Sequence, residues 1–199
     1  MKMQRHEPFR NPIWEQKKFL KDEVIDLFAK EIRRVREDLP SEQHSNFGGW
    51  QSPSFEQIKG IEFVQPLLKS LVELLTPLYE DYGILQPVDT SNIVPNIQNL
   101  WFNINTRDDW NYPHTHPQAI LSAVVYIEVP EDSGNIVFDR PDHLALYTDR
   151  PDRPSKYGNI KHTIVPEAGT LLVFPAWVTH HVTPSNSDEE RITVAINFG

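Results

Sequence analysis

The hydrophobic repeat of this chain changes once, near residue 90, and that change limits the folds open to it. Before it, apolar residues recur at helical spacing; after it, they alternate. In residues 15–38, Phe19, Leu20, Val24, Leu27, Phe28, Ile32 and Val35 fall on one face and charged residues fill the rest. Leu39-Pro40 ends that helix, because the residue before a proline avoids the helical region. A polar loop follows at 41–53, with a Gly48-Gly49 hinge. A second helix is expected from Ser54, which has capping-box spacing to Gln57. Its leucine-rich run, Ile61 to Leu78, is broad enough to be mostly buried, with Pro66 and Pro77 able to kink or divide it.

Beyond residue 92 the chain reads as strands: 97–105, 119–129, 135–138, 143–148, 161–165, 170–174, 178–183 and 191–198. Proline- and glycine-bearing turns separate them. Short strands at this spacing predict a β-sandwich or jelly roll, mainly β with α-helical support. The 199 residues are expected to form a single domain, with 1–90 as helical support and loop and 91–199 as the β core. The polar loop 149–160 is placed at a site mouth.

Composition removes several function classes. The chain has no cysteine, so a disulfide scaffold, a thiolate nucleophile, a zinc finger and an iron–sulfur cluster are excluded. Any metal must be held by histidine and oxygen. A net charge of −9 argues against a general binder of nucleic-acid backbones. No apolar run reaches membrane-spanning length, and MKMQRHEPFRNP lacks the apolar stretch of a secretory signal. The expected setting is the cytoplasm.

Eight histidines remain as candidates. His114 and His116 are two apart, so on an extended segment both imidazoles point to one side and can reach one ion. His180, after the run LLVFPAWV, is the candidate third ligand. Neutral imidazole suits iron, copper, nickel or zinc, and a facial set of three leaves positions open for oxygen and a co-substrate. His181 faces away from His180 if extended. His162 is expected to be structural or to support a ligand, His143 to lie in a loop beside Asp142, and His6 and His44 to face solvent. Arg191 opens the alternating strand RITVAINF. Pointing inward, it needs an anion, such as a dicarboxylate held by a bidentate fork; the other reading pairs it at the surface with Asp188, Glu189 or Glu190. Thr193 shares its face. Tyr126, within an apolar strand, is a further buried donor needing a partner.

Six ordered pieces now carry a resemblance: Ser45-Asn46-Phe47-Gly48-Gly49-Trp50-Gln51-Ser52, His114-Thr115-His116-Pro117, Val125-Tyr126, Ser133-Gly134-Asn135-Ile136-Val137-Phe138, Phe174-Pro175-Ala176-Trp177-Val178-Thr179-His180 and Arg191-Ile192-Thr193. The chain resembles the 2-oxoglutarate- and Fe(II)-dependent oxygenase superfamily, and within it the small oxygenases of marine bacteria and their phages. The resemblance implies a double-stranded β-helix with helices on one side. It implies His114 and His180 as metal ligands, and Arg191 holding the far carboxylate of 2-oxoglutarate with help from Thr193 and Tyr126. His116 stands where the superfamily places Asp or Glu; the nearer group carries histidine there too. If a carboxylate is needed, Asp139 is the runner-up.

The implied activity is a hydroxylase-type dioxygenase using Fe(II), 2-oxoglutarate and O2 on a small-molecule or protein substrate, with a homodimer plausible from the family. Substrate choice would rest with loops 41–53 (Trp50), 106–113 (Trp110, Tyr112) and 149–160. Two other readings stand beside it. A cupin-like three-histidine dioxygenase without 2-oxoglutarate leaves Arg191 unexplained. A non-catalytic β-sandwich module, such as a virion or scaffold component, carries no stoichiometric metal.

Overall fold

A computed structural model describes residues 11–55, 61–81, 96–141 and 159–199. Two antiparallel sheets face one another. The six-stranded sheet runs β1(Trp14–Gln16)-β9(Leu171–Pro175)-β6(Leu121–Glu128)-β11(Arg191–Phe198)-β4(Ile97–Asn105)-β3(Trp50–Gln51). The five-stranded sheet runs β2(Asn46–Phe47)-β5(Trp110–His114)-β10(His180–Val182)-β7(Ile136–Asp139)-β8(Lys161–Ile164). This is the double-stranded β-helix, with α1(Asp22–Asp38) and α2(Gln65–Asp81) beside it.

Alternation on the central strands divides the molecule into two cores. Ile192, Val194, Ile196 and Phe198 of β11, with Leu100, Phe102 and Ile104 of β4, face the helices and meet Phe28, Ile32, Leu71 and Leu75. Between the sheets a smaller cluster joins Ile136, Phe138, Leu172, Phe174 and Val178 to Tyr126. The opposite phase of β11 and β4 is polar and lines the barrel interior. The helix layer is tied to the barrel by Arg33, whose guanidinium donates to Glu128 and Glu190, and by Arg36, which donates to Glu190 at 2.6 Å.

Several expectations need correction. Residues 15–21 are not helical: Trp14–Gln16 pair with β9 as an edge strand, Lys18 turns the chain at φ 54°, and the helix begins at Asp22. Phe19 and Leu20 still reach the core from this turn. It ends at Leu39 as expected, which is extended. Ser54 does not cap the second helix. Phe55 bridges to Leu100, and α2 starts at Gln65 after a 3-10 turn at Glu62–Val64. Pro66 sits in the first turn, where a missing N–H costs nothing, and Pro77 is carried inside the helix without dividing it.

The loop 41–53 contains two short strands, joined by Gly48 and Gly49 at φ 69° and 67°, a left-handed conformation glycine adopts without strain. The approach 106–113 is not all loop, since β5 begins at Trp110. The remaining described strands match expectation within two residues. The strand 143–148, most of the loop 149–160, Gln57, His6, Asp142 and His143 lie outside the described residues. No described helix is long and apolar enough to cross a membrane.

Candidate metal and co-substrate site

The five-stranded sheet brings the histidines together. β10 lies between β5 and β7, and His180 registers directly opposite His114. His116 follows the end of β5 and is held where its backbone N–H donates to Ala176 O at 2.9 Å. One ligand nitrogen from each of His114, His116 and His180 lies within 4.8 Å of the others. His116 Nε2 and His180 Nε2 are 3.2 Å apart.

Two of the three rings are oriented by the backbone. His114 Nδ1 donates to Tyr112 O at 2.6 Å and His180 Nδ1 donates to Val178 O at 2.9 Å. A carbonyl only accepts, so Nδ1 carries the proton in both and each Nε2 presents a lone pair. Burial keeps the rings neutral. It lowers the pKa of His180 to about 3 and of His116 to about 4, with neighbouring imidazoles adding to the effect. Burial lowers His114 as well. The donor set fits a divalent transition metal: neighbouring ligands on metal–nitrogen bonds of about 2.0–2.1 Å stand about 2.8–3.4 Å apart from octahedral to tetrahedral angles, a range that contains the His116–His180 spacing.

Asp139 is not part of this set. Its carboxylate lies 3.5 Å from His181 Nδ1 and 3.9 Å from Lys161 Nζ, on the other side of β7 and β10. That also places His181 away from the triad, as expected. His162 is exposed on β8, so it supports no ligand, and His44 is exposed beside Glu42.

Across the barrel, Arg191 is 3% exposed. Its Nη1 donates to Ser133 O at 2.7 Å and its Nη2 to Asn105 Oδ1 at 3.1 Å, while Nε has no partner. No carboxylate of the described residues pairs with it. The surface alternative is therefore excluded: Asp188 is taken by Arg107 at 2.6 Å and Glu190 by Arg33 and Arg36, and Glu189 is exposed without joining Arg191. Burial depresses the Arg191 pKa, opposed by Tyr126 and Asp109. A buried cation with only neutral partners is costly and is relieved by an incoming anion. Tyr126 and Thr193 are in register with one another on β6 and β11, and line the same pocket as Arg191. Burial raises the Tyr126 pKa to about 12, so its hydroxyl remains a donor. Arg191, Tyr126, Thr193, His114, His116 and His180 line one interior pocket.

The sequence reading missed the carboxamides that hold this face. Asn105 positions Arg191, and Asn103 Nδ2 donates to Thr193 Oγ1 at 3.2 Å. Their signal was available in IQNLWFNIN, where Leu100, Phe102 and Ile104 occupy one phase and Asn99, Trp101, Asn103 and Asn105 the other. Of the aromatics offered as pocket residues, Trp50 packs against the core with its Nε1 donating to Leu39 O. Tyr112 lines an outer cleft, and Trp110 meets Tyr112 and Phe47 at tilted ring contacts.

Residues 99–197 match the family model described as "Putative 2OG-Fe(II) oxygenase". No curated protein matches the chain by sequence. Among solved structures, it is similar to a Pseudomonas putida prolyl-4-hydroxylase (TM-score 0.68, 19% identity, 94% of this chain and 92% of that one). It is similar to the viral collagen prolyl hydroxylase of Paramecium bursaria Chlorella virus-1, solved with 2-oxoglutarate (TM-score 0.60, 16% identity, 94% of each chain). It is also similar to HygX of Streptomyces hygroscopicus, solved with nickel and 2-oxoglutarate (TM-score 0.65, 13% identity, 95% of this chain and 83% of that one). At these identities the structures speak for the fold.

Proposed function

On the premise that this chain belongs, through residues 99–197, to the 2OG-Fe(II) oxygenases, we propose that His114, His116 and His180 hold the iron, that Arg191 holds 2-oxoglutarate, and that the reaction is a hydroxylation. The chain is an oxidoreductase of that family; the ligand set, the co-substrate clamp and the reaction type are the proposal. The observation that carries it is the pairing of two sites in one barrel: three neutral imidazoles converging on one side and a buried, anion-deficient guanidinium on the other.

When bound, Fe(II) with 2-oxoglutarate and O2 supplies the oxidising chemistry, in which one oxygen atom goes to a substrate C–H bond and the other to succinate, with release of CO2. The chain's own residues bind and orient. Nδ1–H of His114 and of His180 stay on backbone carbonyls, which holds both Nε2 atoms toward the ion. Arg191 presents Nη1 and Nη2 from fixed positions, and the distal carboxylate of 2-oxoglutarate completes their charge. Thr193 and Tyr126 add hydroxyls at the same end. Phe138 and Phe174 pack against His180 and exclude water from behind it.

A histidine at 116 in place of a carboxylate leaves the metal centre one unit more positive, which strengthens its hold on an anionic keto acid. The cupin-like reading loses support because Arg191 is buried and without an anion. Anaerobic loading with Fe(II) followed by elemental analysis tests the proposal. Wild type is expected to retain about one iron per chain and His180→Ala almost none; a wild type that retains none overturns it.

A further inference from the structure

The inward side chains of β4 run Asn105, Asn103, Trp101, Asn99, and across β11 they face Arg191, Thr193, Ala195 and Asn197. At one end of this row the carboxamides are occupied, by Arg191 and Thr193. At the other end they are not. Asn99 Oδ1 is buried with no hydrogen-bond partner. Asn197 Oδ1 accepts from Ser122 Oγ at 2.8 Å, which turns Nδ2 the opposite way, and that Nδ2 joins no described residue. A buried acceptor left unpaired is destabilising, and such groups persist where a ligand completes them.

Both carboxamides line an open cleft of about 570 Å3 that reaches His114 and His116. Trp101 stands between them and the occupied end of the row, its ring 5.5 Å from that of His116. Among the described residues no lysine, arginine, aspartate or glutamate lines the cleft, so their side chains offer a charged ligand no counter-ion. A free acceptor and a free donor on facing strands complement a group that carries an N–H and a C=O on one edge. Two sources carry that edge: a primary carboxamide, and a single residue of an extended peptide.

We infer that Asn99 and Asn197 form the substrate subsite of this chain and recognise a neutral amide edge beside Trp101. The row then divides in function: Asn105 and Asn103 set the co-substrate side, and Asn99 and Asn197 take the substrate. The inference rests on the proposed function for its relevance to catalysis, but the subsite is read from the Asn pair itself.

The side-chain NH2 resonances of Asn99 and Asn197, assigned by their loss in Asn99→Leu and Asn197→Leu, test this in the Zn(II)- and 2-oxoglutarate-loaded protein. The probes are acetamide, N-acetylglycine N-methylamide and methyl acetate, which has the carbonyl but no N–H. At least one amide is expected to shift both resonances saturably and at least about fivefold more than the ester at equal concentration, because a site built for a donor rejects the analogue lacking it. A stronger response to acetamide assigns a primary carboxamide, and to the glycine derivative a peptide. Equal shifts with the ester, or none with either amide, overturn the inference. Each leucine variant should abolish the response of the remaining asparagine, and a persisting response also overturns it. Failure of Zn(II) and 2-oxoglutarate to raise the wild-type melting temperature would instead count against the proposed function. The same titration on the metal-free chain would still read the Asn pair.

Discussion

Arg191 and Asn105 face one another across β11 and β4, and the guanidinium donates to the carboxamide oxygen at 3.1 Å rather than to any carboxylate of the described residues. The charge is therefore held in position but not neutralised. Replacing Arg191 with methionine keeps the volume and removes the charge. The affinity for 2-oxoglutarate is expected to fall at least about a hundredfold, roughly 2.7 kcal/mol, with metal binding retained. Arg191→Lys should restore only part, since an ammonium lacks the planar fork. Calorimetric titration of the metal-loaded variants checks this, and unchanged affinity in Arg191→Met removes the clamp from the account.

Gly49 bears on the same contact from outside. A Cβ there would lie 2.6 Å from Asn105 Nδ2 and 2.9 Å from Ile104 O, at a φ of 67°. Gly49→Ala should cost about 1–3 kcal/mol of stability and also weaken 2-oxoglutarate binding by displacing Asn105. Gly169→Ala is the control. Its φ is 75° and its Cβ would meet Leu20 O at 3.1 Å and Ile25 Cδ1 at 3.2 Å, neither of which lines the pocket. It should cost a similar stability and leave 2-oxoglutarate affinity unchanged, which paired melting and titration would read.

The metal-free protein should lose stability as pH falls from about 6.5 toward 4. The unfolded chain takes up protons on its histidines near their ordinary value. The folded chain resists until about 4 at His116 and about 3 at His180. The unfolded state therefore binds more protons in this window, and stability rises with pH across it. Denaturant melts at several pH values, compared with His116→Gln, should show a shallower slope in the variant. An equal slope would mean that His116 is not a buried neutral group.

The two candidates for the third ligand separate cleanly. His116→Ala should lower Fe(II) affinity at least about a hundredfold, because one of three protein ligands is gone. Asp139→Asn should change it less than about twofold, since Asp139 faces His181 and Lys161. Anaerobic metal titration checks both, and the reverse ranking would restore Asp139 as the ligand.

Much of this site was readable where physics is local. The alternation of 97–105 and 191–198 gave two central strands, and put Arg191 and Thr193 on one face of the second. The spacing of His114 and His116 put two imidazoles on one side, although β5 ends at His114 and the second is held by a backbone hydrogen bond to Ala176 O. Other features depended on partners distant in the chain. Residues 15–16 continue a helical pattern, yet the open edge of β9 claims them as a strand. β2 and β3 are two residues each and exist only through pairing with β5 and β4. Whether Arg191 turned inward or met Asp188 was settled by Arg107, which no spacing connects to it.

The account's central claim is that metal and 2-oxoglutarate bind as one linked site. Thermal melts with Mn(II), with 2-oxoglutarate and with both test it most directly. At about a hundred times the dissociation constant, ligand linkage is worth about 2.7 kcal/mol, or roughly 5–10 °C for a chain of this size. The account predicts that 2-oxoglutarate adds such a shift with Mn(II) present and nearly none without it. An equal shift without metal, or no shift with both, would contradict it.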